Sequence, residues 1–274
     1  MEKYLISVDL DDTLLTSEKL ITKETIEYVQ ELVKKGHHFI INTGRPFQGA
    51  IQFLKMLGIH EPMIVNNGGA IVYFDDNYEK VIDYHLFPIG IKTFIAFHKR
   101  VKPYLHCGTT TSLFDFYSYD FNKTPFWVVH KGCDVKMHEC DISTNLNTIP
   151  ISGGFDVKAE FEDDFEKVLK QKRFQNLQVT RWGHYDGLVP YDISSKKASK
   201  GNAMLYLAKK YHIKKENTIS FGDQLNDLSM LNVAGYGVAM INSRDEVKEK
   251  AKYISEFDFN NNGVIEFIKK IIKE

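Results

Sequence analysis

At both ends of the chain, short continuous apolar runs alternate with longer stretches of helical periodicity. Residues 4–8 (Tyr-Leu-Ile-Ser-Val) are a compact apolar run that stops at Asp9, the pattern of a strand buried on both faces. Residues 22–35 then carry Ile26, Val29, Leu32 and Val33 on one helical face. Thr22 is placed to cap the first turn with Thr25 beside it, and Gly36 ends the helix. Residues 37–42 predict a second strand, and Pro46 marks where the next helix begins, because a missing N–H costs nothing at that position. Apolar runs at 63–65 and 70–74 flank the turn Asn66-Asn67-Gly68-Gly69. Beyond residue 200 the alternation returns. Helices are expected at 203–211, 227–233, 247–251 and 264–272, with strands at 218–221 and 237–240. Strands alternating with helices predict a parallel sheet covered on both faces.

The middle of the chain reads differently. Two helical stretches, 91–101 and 161–171, and two strand-like runs, 149–155 and 177–182, are separated by loop-like segments. Those segments hold Phe114, Phe116, Tyr117, Tyr119, Phe121, Phe126 and Trp127. The expected fold class is therefore α/β: a doubly wound, mostly parallel sheet formed by residues 1–82 and 191–274, with an α+β domain inserted at 83–190.

Composition narrows the function classes. Apolar residues are 43% and charged residues 26% of the 274, which supplies a full core. Thirty-five Lys and Arg against 36 Asp and Glu leave a formal charge of −1, so nothing draws the chain to nucleic acid or an acidic membrane surface. No window approaches the roughly 20 apolar residues that span a bilayer, and the N-terminal apolar run is too short for a signal peptide. Three cysteines (Cys107, Cys133 and Cys140) do not form a disulfide framework. A cytoplasmic protein is expected. Nothing in the sequence bears on oligomeric state.

Four separated segments lie where strands of the parallel sheet should end or a helix begin: Asp9-Leu10-Asp11-Asp12-Thr13-Leu14, Asn42-Thr43-Gly44-Arg45, Ser199-Lys200-Gly201 and Gly222-Asp223-Gln224-Leu225-Asn226-Asp227. The carboxyl ends of such strands border the ligand crevice. Asp9, Asp11, Asp223 and Asp227 would bring up to four carboxylates together there. Two like charges 4 Å apart repel by about 4 kcal/mol at an effective dielectric near 20, so the cluster needs a cation or a shared proton. Oxygen ligands without His or Cys favour a hard ion, Mg²⁺ when a phosphate is also present. Lys200 adds a fixed positive charge and Thr43 a hydroxyl donor. Together these groups suit phosphoryl transfer, which depends on positioning and charge stabilisation.

Each segment also has a plainer reading. Asp-Xaa-Asp is commonly a surface turn, Thr43-Gly44-Arg45 could merely end a strand, Lys200 stands near Lys196 and Lys197 on what could be a solvated face, and Asp223 and Asp227 could cap a helix. Their joint occurrence at strand ends favours chemistry. Other patterns do not survive. Asp258, Asn260, Asn262 and Gly263 imitate an EF-hand loop, but its twelfth position is Lys269 instead of Glu. Cys133, His138 and Cys140 match no common zinc spacing. There is no dinucleotide fingerprint and no Gly-Lys-Ser/Thr phosphate loop.

On these motifs the chain resembles the haloacid dehalogenase superfamily, in its Cof-type group of sugar-phosphate-like phosphatases. Gly237-Val238-Ala239-Met240 and Asn262-Gly263-Val264 extend the likeness, whereas the middle segment is matched only weakly. The resemblance implies a Rossmann-like core and a cap, inserted after the second motif, that closes over the crevice. It implies Asp9 as nucleophile and Mg²⁺ ligand, and Asp11 as acid and base lending a main-chain carbonyl to the metal. Thr43 and the Gly44 amide would hold phosphoryl oxygens, and Lys200 would neutralise charge. Asp223 would ligate Mg²⁺ directly, Asp227 would act through water or from the layer of residues behind the ligands, and Asn226 would lie near the phosphate. Asp11 should hold a proton at neutral pH, its pKa raised by a neighbouring anion. Arg45, and more weakly His184 and Asp186, are candidate substrate contacts. The expected activity is hydrolysis of small phosphorylated metabolites, sugar phosphates foremost. A phosphomutase using the same aspartyl phosphate and a non-catalytic phosphometabolite sensor are the alternatives.

Overall fold

The computed structural model describes residues 2–124 and 135–272. In chain order its strands are β1 (Leu5–Val8), β2 (His38–Ile41), β3 (Met63–Val65), β4 (Ala70–Phe74), β5 (Val81–Leu86), β6 (Leu105–Thr111), β7 (Asp115–Ser118), β8 (Lys136–Glu139), β9 (Ser152–Lys158), β10 (Leu177–Arg181), β11 (Leu188–Ser195), β12 (Thr218–Gly222), β13 (Tyr236–Ala239) and β14 (Tyr253–Ile254). Its helices are α1 (Lys23–Lys34), α2 (Phe47–Leu57), α3 (Ile91–Val101), α4 (Ile142–Asn145), α5 (Glu162–Leu169), α6 (Lys200–Lys210), α7 (Leu228–Val233), α8 (Asp245–Lys250) and α9 (Gly263–Ile271). The chain forms two compact units, Met1–His85 with Ser199–Glu274 and Leu86–Ala198.

The first unit is built on a parallel sheet of order β14-β13-β12-β1-β2. Every residue of β1 and β12 is buried, so both faces are covered, as the continuous apolar runs require. The register fixes where the chemistry falls. Val8 lies opposite both Phe221 of β12 and Ile41 of β2, and Gly222 lies opposite Ala239 of β13. The residues that follow these strands, Asp9, Asn42 and Asp223, therefore leave the sheet side by side at its carboxyl edge. A parallel bridge from Asn42 to Ile64 ties that edge to β3, which pairs with β4 in a smaller sheet.

The helices form where the caps and apolar faces direct. Thr22 Oγ1 accepts from Thr25 N at 3.2 Å at the head of α1, and Ser199 Oγ accepts from Asn202 N at 3.1 Å at the head of α6. Packing of α6 on α7 depends on Gly201: a Cβ there would lie 2.1 Å from the Ser229 carbonyl oxygen, so a larger residue would push the helices apart. None of the helices among the described residues is long and apolar enough to cross a membrane.

The second unit carries a six-stranded sheet of order β10-β11-β9-β6-β7-β8, antiparallel except for the β7–β8 pair. One face packs on α3 and α5 through an aromatic core. The Phe97 ring meets Phe174, Phe155 and Phe165 edge-on at centroid distances of 5.1, 5.4 and 5.8 Å. The sequence pattern predicts no strand over residues 105–118. Here Phe116 and Tyr117 lie inside β7 beside a Thr-rich β6, whose buried polar residues conceal the alternation a strand normally shows. Strand β11 runs through Pro190 to Ser195 and pairs with β9 and β10, so the second unit extends to Ala198. Phe126, Trp127 and Cys133 lie outside the described residues.

Candidate active site

All nine principal site residues belong to the first unit. Asp9 follows β1 and hydrogen-bonds through its backbone N–H to the Phe221 carbonyl, so the β1–β12 ladder carries it to the sheet edge. Asp223 follows β12. Between Asp9 and Asp227 stands Lys200, the first residue of α6, whose side chain is fully buried. Its Nζ donates to Asp9 Oδ1 and to Asp227 Oδ1, both at 2.6 Å. The Asn42 side-chain amide donates to the Lys200 carbonyl at 3.0 Å and so fixes the backbone beneath that ammonium group.

Asp227 serves the loop as well as the lysine. Its Oδ2 accepts from the backbone N–H groups of Asp223 and Gln224, both at 2.9 Å. Asp223 is held in turn by Thr13 Oγ1 at 3.2 Å and Gln224 Nε2 at 2.9 Å. Carboxylate oxygens of Asp9, Asp223 and Asp227 lie within 4.8 Å of one another, and all three residues are buried. Three carboxylates and one ammonium group leave this site short of positive charge. Burial pushes the Asp9 pKa up to about 7, against the pull of Lys200 and with added repulsion from Asp227 and Asp223. Burial, with the Asp227 charge, likewise lifts Asp223 to about 6, although the Gln224 and Thr13 hydrogen bonds oppose it. Buried all-oxygen donors that resist ionisation for want of a counter-charge fit a hard divalent cation.

Asp11 departs from expectation. Burial alone would raise its pKa, but Arg45 and Lys19 outweigh that effect and lower it. Arg45 donates from Nε to Asp11 Oδ2 at 2.8 Å and from its terminal nitrogen to Oδ1 at 2.6 Å, while Lys19 Nζ lies 3.1 Å from Oδ1. The expected raised pKa is therefore reversed: Asp11 stands here as an ion-paired carboxylate. Arg45, read from the sequence as a substrate contact, is engaged with Asp11.

Thr43 is buried, and its Oγ1 accepts from the Arg45 backbone N–H at 3.1 Å, which leaves the hydroxyl hydrogen to donate. Gly44 lies against Asn67: a Cβ on Gly44 would come within 3.0 Å of Asn67 Oδ1. Asn226 Nδ2 donates to that same Asn67 Oδ1 at 2.8 Å. The sequence marks Asn66-Asn67-Gly68-Gly69 only as a turn, whereas in the structure it meets two motifs. Its signal was two consecutive asparagines, both of which adopt positive φ (50° and 55°). The sequence likewise carries no signal for the roles of Lys19, Gln224 and Thr13, because the partners of such polar side chains are set by tertiary contact.

His184 and Asp186 lie in the second unit. His184 Nε2 meets an Arg181 terminal nitrogen and approaches Glu162, and Asp186 sits at φ 45° in a turn. The rejected motifs have structural roles. Asp258 Oδ1 accepts from the backbone of Asn260 and Asn261, and His138 Nε2 pairs with Asp115 Oδ1 at 2.8 Å.

The family of haloacid dehalogenase-like hydrolases matches this sequence over residues 6–268. The chain belongs to that family. Over 97% of its length it is 28% identical to the 5-amino-6-(5-phospho-D-ribitylamino)uracil phosphatase YitU of Bacillus subtilis, of which 97% is covered. A second B. subtilis protein of the same stated activity, YcsE, is 27% identical over 97% of this chain and 94% of its own. Among solved structures, a Thermotoga maritima protein superposes with a TM-score of 0.78 at 24% identity, covering 99% of this chain and 98% of that one. This haloacid dehalogenase-like hydrolase is a phosphatase with an α/β fold.

Proposed function

We propose that the protein hydrolyses small phosphorylated metabolites through an aspartyl phosphate on Asp9, with Mg²⁺ held by Asp9 and Asp223. The observation that carries this reading is the buried Lys200 ammonium group, 2.6 Å from both Asp9 and Asp227, with Asp223 alongside. A lone carboxylate at a strand end would need no such neighbour. A nucleophile that must approach a phosphate dianion does.

The Lys200 contact orients one Asp9 oxygen and leaves the other for the phosphorus. Attack by Asp9 forms the carboxyl–phosphorus bond as the ester oxygen departs, and Asp11 gives that oxygen a proton. Asp11, now a carboxylate, then takes a proton from the water that attacks the phosphorus. Inorganic phosphate leaves and Asp9 is restored. Thr43 and the Gly44 amide donate to phosphoryl oxygens as charge develops there. For Asp11 to act as an acid it must be protonated, so its grip on Arg45 and Lys19 has to loosen in the substrate complex. Asp227, with Oδ2 taken by two amides and Oδ1 by Lys200, suits an outer position about the metal. When bound, Mg²⁺ supplies the missing positive charge and polarises the phosphoryl group.

Sugar and sugar-alcohol phosphates are the favoured substrates. The family resemblance supports the first, and the names of the two B. subtilis relatives, which specify a phosphorylated ribityl chain, support the second. Phosphate release from p-nitrophenyl phosphate with Mg²⁺ tests the reaction. Activity that survives Asp9→Asn, or that needs no divalent ion, refutes it.

A further inference from the structure

The turn Asn66-Asn67-Gly68-Gly69 joins β3 to β4, yet its backbone is bent further than that task demands. Two residues at positive φ suffice to connect antiparallel strands. Here three follow one another, Asn66 at 50°, Asn67 at 55° and Gly68 at 85°. Asparagine tolerates that region better than most residues, but at a cost, and such strain persists where the surroundings fix the backbone. Three contacts fix it, all inside the first unit.

The first contact is with the segment after β2. The Asn66 N–H donates to the Arg45 carbonyl at 2.9 Å and the Asn67 N–H to the Thr43 carbonyl at 3.0 Å, so the turn is tied to both neighbours of Gly44. The second is with the head of α6. A Cβ on Gly68 would sit 2.2 Å from the Ser199 carbonyl oxygen and 2.8 Å from the Lys200 backbone nitrogen, so only glycine allows this approach. The third is made by the Asn67 side chain. Its carboxamide lies over Gly44, where an added Cβ would meet Oδ1 at 3.0 Å and Nδ2 at 3.4 Å. The same Oδ1 accepts from Asn226 Nδ2 at 2.8 Å, across 159 positions of sequence. One tetrapeptide thus touches the segments that carry Thr43, Lys200 and Asn226.

An asparagine that only served a turn would bond to its own backbone or to water. Asn67 and Asn226 are both exposed, yet they bond to each other. That bond has a consequence for Asn226. Its amide carries two N–H donors, and with one committed to Asn67 the other has a fixed direction. A donor already held in place loses less conformational freedom on meeting a ligand than a free side chain does. We infer that Asn67 is a positioning residue for phosphate: it holds Asn226 so that the second amide hydrogen donates to a phosphoryl oxygen, beside the Gly44 amide. An aspartate in its place would hold Asn226 equally well but repel the phosphate, so a neutral acceptor fits. The inference rests on the phosphatase reading above and adds to it a residue that touches no reacting atom.

The test measures calorimetric binding of inorganic phosphate with Mg²⁺ present, and KM and kcat for p-nitrophenyl phosphate, in wild type, Asn67→Gly, Asn226→Ala and the double variant. Glycine takes positive φ without strain, so Asn67→Gly deletes the carboxamide, keeps the turn and should melt near the wild-type temperature. Its phosphate affinity should fall about tenfold, as for a weakened hydrogen bond to a charged group, and KM should rise in step while kcat changes less. In the Asn226→Ala background the same substitution should cost nothing further, because its effect passes through Asn226. Unchanged phosphate affinity in Asn67→Gly, a loss confined to kcat, or losses that add in the double variant overturn the proposal. Wild type that binds phosphate but leaves p-nitrophenyl phosphate intact overturns the phosphatase reading instead, and the titration still decides the role of Asn67. Wild type that binds no phosphate overturns both.

Discussion

Arg45 grips Asp11 through both carboxylate oxygens, at 2.6 and 2.8 Å, in the bidentate geometry that guanidinium groups make best. The pair joins two motifs, the residues after β1 and those after β2. It stabilises the charged form of a group that the proposed reaction also uses in its protonated form.

Removing that cation should raise the Asp11 pKa, because burial still opposes ionisation and only Lys19 remains to offset it. In Arg45→Met, the basic limb of the pH profile for kcat/KM should move to higher pH, while kcat at neutral pH falls if Arg45 also steadies substrate. A basic limb that stays put or moves lower would show that Asp11 is not the group titrating there.

Lys200 and Asp9 should respond oppositely to substitution. Lys200→Met leaves buried carboxylates without their partner, and breaking a buried pair this way costs about 3–5 kcal/mol. The melting temperature should drop together with activity. Asp9→Asn removes the nucleophile but also one unhappy charge. Phosphate release should fall by about a thousandfold or more with little loss of stability. Thermal melts beside a phosphate assay check both.

Divalent ions should stabilise the protein, and more so as pH rises. With folded pKa values of about 7 for Asp9 and about 6 for Asp223, against about 4 in an unfolded chain, the folded state binds protons more tightly. Without metal, these two groups subtract stability as pH climbs from about 4 to about 7. A cation that replaces those protons recovers it. Millimolar Mg²⁺ should therefore raise the melting temperature clearly at pH 7.5 and hardly at pH 5. An increment that is equal at both values excludes Asp9 and Asp223 as its ligands.

His98 should make the second unit acid-sensitive. It is fully buried in α3, bonded to the Tyr119 hydroxyl at 2.9 Å and Thr110 Oγ1 at 3.1 Å, and burial drives its pKa down to about 3. A depressed histidine contributes stability that is whole above about pH 6.5 and is lost as pH falls toward 3, up to about 4 kcal/mol across that window. His98→Gln should lower stability at pH 7 and flatten the decline between pH 6.5 and 4, measured by denaturant unfolding. An unchanged slope points to another group.

The ends of the chain were legible because β1, β12 and β2 are buried on both faces and so read as unbroken apolar runs, each followed by a charged or polar motif. Thr22 and Ser199 announced their helices by residue type, since a side-chain oxygen at a helix start has one obvious use. The middle was less readable. Strand β6 is built from Thr109, Thr110 and Thr111, whose burial depends on partners distant in sequence such as His98 and Gly154. Pro190 looks like a boundary because proline seldom occupies a strand between two others, yet β11 runs through it. Within the site, residue types revealed which groups gather but not how they pair. The sequence points to a protonated Asp11 because neither Arg45, expected to meet substrate, nor Lys19, an ordinary polar-segment lysine, gives a sign of reaching it.

Lys200 and Asp9 stand 191 positions apart, and β1 finds one of its two sheet neighbours only in β12. During synthesis, β1 must therefore wait, one edge unpaired, until residues up to 222 emerge. A chain halted before that point presents Leu5–Val8 as an apolar ribbon open to other strands. Nascent fragments of this protein should accordingly be captured by chaperones or aggregate, and hydrolytic competence should arrive abruptly, once Asp223 and Asp227 have emerged.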